Sequence, residues 1–288
     1  MTNRNTLFVE DAEILSHQAY PGDQFVMRLQ APKTALQARA GSFVHIRCDR
    51  QRPMRRPLSI MRSDPQAGWI ELLYKAFGAG TRLLSEQAVG TRLNLIGPIG
   101  RPFTANPDKK RPLLMGGGVG IPPMIFLADQ LRATPAEPLV LMGSEVPFPF
   151  KARPSHIIVP GIPDGVIAAM PLLEDWHIAS RLSSQQGYSG CFDGYITDLA
   201  RSWLDSLSPE QRNDIEIFAC GPHPMLEAVA RLAHDYQLPC QVSLEEFMAC
   251  AVGGCAGCTV QVQTAAGPAM KRVCVDGPVF AAKDVFQF

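Results

Sequence analysis

The stretch from Cys250 to Cys274, CAVGGCAGCTVQVQTAAGPAMKRVC, constrains this chain more tightly than any other. Cys250, Cys255 and Cys258 are separated by four and two residues, and Cys274 follows after fifteen more. A C-x4-C-x2-C run with a distant fourth cysteine is the plant-type 2Fe-2S spacing. Two irons bridged by two sulfides need four thiolates around one small rhomb, three of them from a loop tight enough to wrap it. Gly253, Gly254 and Gly257 are expected to supply that tightness by permitting positive φ and by letting backbone N–H groups approach the sulfurs. Four thiolates also close a structural zinc site, usually from two C-x2-4-C pairs. Three ligands in a single loop favour the iron-sulfur reading.

Composition limits what surrounds that loop. A chain of 288 residues, 46% hydrophobic, is long enough for two or three domains with their own cores. Lys+Arg and Asp+Glu both number 27, so no net field favours nucleic acid or an anionic membrane surface. The start, MTNRNTLFVEDAEILSH, lacks an apolar segment of signal-peptide length, and no run long enough to span a membrane follows. The expected location is the cytoplasm, where eight cysteines point to metal or redox chemistry rather than to disulfides. Cys48, Cys191 and Cys240 are simplest as buried small hydrophobes.

The hydrophobic pattern divides the chain into three. Residues 1–105 carry short alternating runs, Gln24 to Leu29, Ser42 to Cys48, Leu58 to Met61, Trp69 to Tyr74 and Arg92 to Ile96, which predict a small antiparallel β-barrel. Residues 106–241 alternate apolar runs with helical patterns (LLMGGG, IPPMIFLADQLRA, PLVLMGSE, EIFACGPHPMLEAVARLAHDY) and predict a doubly wound α/β domain with a parallel sheet. Residues 242–288 form a small terminal segment that carries the cysteines. The overall class is multi-domain β plus α/β.

Two further constellations suit phosphate binding. GGGVGIPPM, Gly116 to Met124, follows an apolar run and opens a helical pattern, an arrangement that aims backbone N–H groups at a pyrophosphate. Its partner is Cys220-Gly221-Pro222 after a later strand. Glu145, ending PLVLMGSE, could accept hydrogen bonds from an adenosine ribose, a hint of NAD over NADP. In the barrel, Arg56-Pro57-Leu58-Ser59 starts one strand and Tyr74-Lys75 ends the next. Gly78-Ala79-Gly80-Thr81 then leads into a short helix, with Thr81 as its expected cap. A guanidinium and a glycine-flanked helix start could hold a dinucleotide pyrophosphate from two sides, with Ser59 placed for a ring edge. The competing reading makes Arg56 one solvated member of the basic run Arg47, Arg50, Arg52, Arg55 and Arg56. The six histidines, His45 among them, are expected at the surface or capped.

The order RPLS, GAGT, GGGVGIPPM, CGP resembles the ferredoxin-NADP reductase superfamily. The terminal EEFMAC-x4-C-x2-C with CVDGPVF resembles, more specifically, the electron-transfer subunits of NAD-linked dihydroorotate dehydrogenases. The resemblance implies an FAD-binding barrel contacting the flavin through Arg56, Pro57, Leu58, Ser59, Leu73, Tyr74, Lys75, Gly80 and Thr81. It implies a nicotinamide domain with Gly117, Gly118 and Gly120 along the NAD pyrophosphate and Cys220 as the catalytic-site residue near the nicotinamide. It implies a 2Fe-2S cluster held by Cys250, Cys255, Cys258 and Cys274, and a hetero-oligomer with an FMN-containing dihydroorotate dehydrogenase catalytic subunit or another redox partner. Ala251 stands where that family usually has glycine, and residues 146–191 match only loosely. The same architecture serves subunits of sulfide dehydrogenase and of ferredoxin-dependent NADP reduction; a zinc-stabilised interaction module is the alternative outside enzymes.

Overall fold

The computed structural model describes residues 7–49 and 52–288; Arg50 of the basic run lies outside them. The first unit is a closed antiparallel barrel of β1 (Phe8–Tyr20), β2 (Gln24–Gln30), β3 (Phe43–Ile46), β4 (Arg56–Asp64), β5 (Trp69–Lys75) and β6 (Arg92–Ile99), in the order β1-β2-β5-β4-β3-β6. Every strand read from the sequence is present. Sequence reading missed β1, because FVEDAEILSHQAY carries acidic residues on both faces, Glu10 on one and Asp11 and Glu13 on the other, and its register against β2 shifts between Ile14 and Ser16, a bulge that breaks the two-residue period. Two short helices, α1 (Pro32–Gln37) and α2 (Ala79–Ser85), close barrel corners. Ile14, Met27, Leu29, Ile46, Ile60, Ile70, Leu72 and Leu95 fill the interior without exposure.

The second unit is built on β7 (Leu113–Gly117), α3 (Ile121–Leu131), β8 (Leu139–Gly143), a two-residue pair β9 (Arg153–Pro154) with β10 (Ala168–Ala169), α4 (Pro171–Asp175), β11 (Ala179–Ser183), α5 (Ile196–Asp205), α6 (Pro209–Asn213), β12 (Ile217–Cys220), α7 (His223–Asp235) and β13 (Cys240–Ser243). Its parallel strands run β11-β8-β7-β12-β13. The alternation of β7 explains the two layers. Leu113 and Met115 pack with Leu199, Trp203 and Val229 of α5 and α7, whereas Leu114 points to the other face with Met124, Ile125 and Ala128 of α3. Helix α3 also packs on β4, so it lies between sheet and barrel.

The cysteine segment follows as a hairpin, β14 (Thr259–Thr264) with β15 (Gly267–Arg272), then α8 (Val273–Asp276), β16 (Val279–Ala281) and α9 (Ala282–Val285). Strand β16 pairs antiparallel with β13 and becomes the sixth strand of the main sheet. The chain ahead of it touches the barrel: Gly277 accepts the Arg101 N–H at 2.6 Å, and Pro278 accepts the Leu244 N–H at 2.9 Å. Barrel, sheet and cysteine segment therefore meet at residues 277–279. Among the described residues no helix is long and apolar enough to cross a membrane.

Candidate functional site

Strand order locates the candidate dinucleotide site. From β7 the chain proceeds outward through β8 and β11, then returns to place β12 and β13 on the other side, so the topological switch point falls between β7 and β12. Ligands of open parallel sheets bind at such a point, beyond the carboxyl ends of the strands. Both glycine motifs emerge there: Gly116 is in register with Cys220, and a 3-10 turn over Gly118–Gly120 leads into α3. Gly120 is required by close approach, because a Cβ on it would lie 2.3 Å from the Cys220 carbonyl oxygen and 2.5 Å from the Gly221 nitrogen. Gly118 adopts φ +54 with nothing within 4 Å of a built Cβ, so its backbone borders open space. Glu145 is exposed two residues beyond Gly143, which pairs with Gly117.

Cys220 ends β12 at 1% exposure. Burial first, and then the charge of Glu245, push its thiol up, against weaker opposing hydrogen bonds from Ser243 and the Gly221 backbone. A thiol held protonated in this way is a poor nucleophile near neutrality. Glu245 was not singled out from the sequence. Its edge is open to solvent but protein crowds it, and desolvation raises its carboxyl. It lines a cavity of about 240 Å³ with Gly221, His223, Glu246 and Val260, between the CGP turn and the cysteine hairpin. Two residues on, Phe247 is a large apolar side chain that is 93% exposed. A much larger cavity, about 1320 Å³, lies between the end of α7 and β16 and includes none of the motif residues.

On the barrel the basic run divides. Arg55 is spent internally, donating from Nη1 to the Asn94 carbonyl at 2.7 Å and to that of His45 at 3.3 Å. Arg56 donates only to the carbonyls of Met54 and Arg55 next to it, at 3.2 and 3.0 Å. No carboxylate among the described residues is placed to pair with it. Its guanidinium lies against Gly80, where a Cβ would meet Nε at 2.9 Å and Nη2 at 3.2 Å. The structure thus joins RPLS to GAGT as the sequence reading required. Thr81 is not the N-cap: it is the third residue of α2, and its Oγ1 accepts the Gly78 N–H at 3.2 Å and donates to the Gly78 carbonyl at 3.1 Å. Pro57, Leu58, Ser59 and Lys75 are half-buried, whereas Leu73 and Tyr74 are almost fully enclosed. The Tyr74 hydroxyl is hydrogen-bonded to His17 Nε2 at 2.7 Å and its ring stacks on Phe25, with centroids 5.5 Å apart. Burial raises the Tyr74 phenol. Leu73 and Tyr74 accordingly build the floor of the site from inside. The 3-10 turn Gly118–Gly120 touches β5, so the glycine turn of the sheet lies beside the barrel strand that ends in Tyr74-Lys75.

The four cysteines form two pairs. Cys250 lies close enough to Cys255, and Cys274 to Cys258, for each thiol to influence its neighbour. Cys258 and Cys274 are buried, Cys250 is half-buried and Cys255 is exposed. Among the described residues no three metal-ligating side chains converge on a point for one ion. Two neighbouring thiol pairs suit two irons, one pair each. Burial alone would raise Cys250, but the N–H groups of Val252, Cys255 and Gly254 and the Cys255 thiol outweigh it and bring it down to about 6. Cys274 is pushed up to about 12 by burial and by its pairing with Cys258. The Arg272 side chain, paired with Asp276 at 3.2 Å, donates to the Gly253 carbonyl at 3.1 Å and pins the loop to the hairpin. The glycine expectation is corrected in part. Gly253 is at φ +83, but Gly254 and Gly257 avoid the left-handed region; Ala251 (φ +56) and Ala256 (φ +55) occupy it instead.

His45 departs from its expected surface position. It is 1% exposed, and neither ring nitrogen has a hydrogen-bond partner among the described residues. An orphaned buried polar group costs roughly 1–3 kcal/mol, so an apolar residue of its size would give a more stable barrel. Nothing in the sequence marked it, because the cover over β3 comes from residues about two hundred positions later.

Comparison with known proteins places these parts in a family context. Residues 7–103 match the oxidoreductase FAD-binding domain and residues 245–286 the iron-sulfur cluster binding domain of dihydroorotate dehydrogenase B. The electron transfer subunit of dihydroorotate dehydrogenase B (NAD(+)) from Desulforamulus reducens is 30% identical over 279 residues, 96% of this chain and 98% of that one. The corresponding subunit from Geobacillus kaustophilus is 31% identical, with 99% of each chain covered. Among solved structures, one from the NADH-dependent reduced ferredoxin-NADP oxidoreductase superposes with a TM-score of 0.77 at 25% identity, covering 96% of this chain and 90% of that one. The ferredoxin reductase of carbazole 1,9a-dioxygenase shares the fold, with a TM-score of 0.62.

Proposed function

Because the chain belongs to the family of dihydroorotate dehydrogenase B electron-transfer subunits, we propose that it passes electrons between NAD and a catalytic partner subunit that acts on dihydroorotate, by way of FAD and a 2Fe-2S cluster. When bound, FAD exchanges two electrons with nicotinamide and single electrons with the cluster. The rest falls to the chain. Arg56 and the turn at Gly80 and Thr81 grip the FAD pyrophosphate from two sides, Ser59 holds a ring edge, and Pro57, Leu58 and Lys75 line the approach. Gly117, Gly118 and Gly120 present backbone to the NAD pyrophosphate, and Glu145 favours NAD over NADP. Cys220 and Glu245 would border the nicotinamide. Cys250 with Cys255, and Cys258 with Cys274, take one iron each. The lack of a membrane-crossing helix among the described residues and the reduced cysteines this chemistry requires support a cytoplasmic location.

The observation that carries this reading is the contact of the Arg56 guanidinium, which has no carboxylate partner among the described residues, with Gly80; it supports reading two distant motifs as one anion site. Arg56→Ala should lose charge-assisted hydrogen bonds worth ~1.5–3 kcal/mol, equivalent to about 10- to 150-fold weaker flavin binding. Dilution followed by gel filtration, with FAD identified by chromatography after acid release, reads the loss directly. Flavin retained at the wild-type level would return Arg56 to a solvated surface role.

A further inference from the structure

We propose that His45 is a positioning residue for electron transfer between flavin and cluster, the polar link between the flavin-holding face of the barrel and the backbone leading into Cys250. The inference rests on the flavin site proposed above. In the β3–β4 ladder Phe43 pairs with Ser59 and His45 with Pro57. Paired residues share a face, so Phe43, His45, Pro57 and Ser59 line one surface of the barrel. Ser59, proposed to hold the ring edge, is the diagonal neighbour of His45, at a spacing of about 7–8 Å in a regular ladder. The other side of that surface is closed by the cysteine segment: Phe43 shares an apolar cluster with Met248, Ala251, Cys258 and Cys274. The imidazole thus lies between the strand expected to carry the flavin edge and the backbone two residues ahead of the first cluster ligand.

Its chemistry fits a link rather than a packing element. Burial, reinforced by the Arg55 and Arg56 guanidiniums and partly offset by the Met248 and Arg55 backbones, lowers the ring to about 4, so it is neutral and carries one donor and one acceptor. The Met248 backbone is near enough to draw on the ring but makes no hydrogen bond of normal geometry with it. A small advance of the cysteine segment would complete that bond, and the ring's other backbone neighbour is Arg55, next to the Arg56–Ser59 run of the proposed flavin site. In the step it serves, one electron leaves the reduced partner, flavin or cluster, and the other gains it; no covalent bond forms or breaks, and His45 keeps its single proton.

The test compares His45→Leu, which fills the space without polarity, with His45→Gln, which restores a donor and an acceptor. In protein loaded with FAD and cluster, His45→Leu should leave NADH bleaching of the flavin within about twofold and slow the growth of the reduced-cluster EPR signal about tenfold, as expected when a transfer geometry loosens. His45→Gln should recover most of that rate. In protein free of both cofactors, His45→Leu should raise global stability yet leave the amides of residues 246–250 exchanging faster than in the wild type, because only the polar ring draws on the Met248 backbone. Wild-type cluster reduction together with wild-type exchange in His45→Leu would overturn the proposal and make His45 a core residue. Flavin retained by Arg56→Ala would overturn the flavin site instead, so the two failures are told apart.

Discussion

At the residue scale, the cysteine loop holds two alanines in the left-handed region, which ordinarily costs an L-residue about 1–2 kcal/mol. Their surroundings differ. Ala251 is buried and its methyl packs against the second core, so glycine there would trade strain for lost packing; Ala256 is exposed and gains nothing from its methyl. Ala256→Gly should therefore raise the stability of the cofactor-free protein by about 1 kcal/mol, measured by denaturant unfolding, and a fall would mean that the loop geometry is wrong. The thiols make a second prediction. Cys250 is depressed from 9.0 to about 6, so its thiolate stabilises the folded loop fully above pH 9, and that contribution is lost as pH falls through 6. Cys274 is raised to about 12 and stays protonated across that range. Alkylation of the cofactor-free protein, followed by mass spectrometry against pH, should modify Cys250 with a midpoint near 6 and leave Cys274 among the last to react; equal reactivity would contradict the backbone N–H cradle.

At the scale of elements, β7, β12 and their turns pack too closely for anything but glycine at 120. Gly120→Ala would drive a Cβ into the Cys220 carbonyl, backbone against backbone, where no side chain can swing away. The separation it forces should cost about 1–3 kcal/mol, and saturation by NADH should weaken accordingly in flavin-bleaching titrations while flavin content stays constant. An unchanged NADH dependence would move the dinucleotide away from this turn. What the sequence made legible at this scale follows from locality. The switch-point strands, the glycine turns and the C-x4-C-x2-C loop are each written in consecutive residues, so spacing exposes them. Strand β1 was hidden because a bulge shifts its period. The pairing of β16 with β13 and the burial of His45 were hidden because both depend on contacts between segments far apart in the chain. Thr81 was read as a cap when it bonds back to Gly78 from inside α2, a one-turn difference that pattern alone does not resolve.

At the scale of the whole molecule, the three parts form a relay whose joints are visible. Helix α3 packs between sheet and barrel, the Gly118–Gly120 turn reaches β5, and residues 277–279 tie the cysteine segment to both. Cys255 is exposed while Cys258 and Cys274 face inward, so the cluster would sit with one edge toward solvent, where a partner can take the electron, and the other toward the barrel. The central claim is that order: nicotinamide, flavin, cluster, partner. It is tested best at Cys255, the exposed ligand, because a substitution at buried Cys258 would disturb packing as well as ligation. In Cys255→Ser with cluster loss verified by absorbance and iron content, stopped-flow mixing with NADH should still bleach the flavin at close to the wild-type rate, while turnover linked to the catalytic partner should stop. Partner-linked turnover that survives loss of the cluster would contradict the relay.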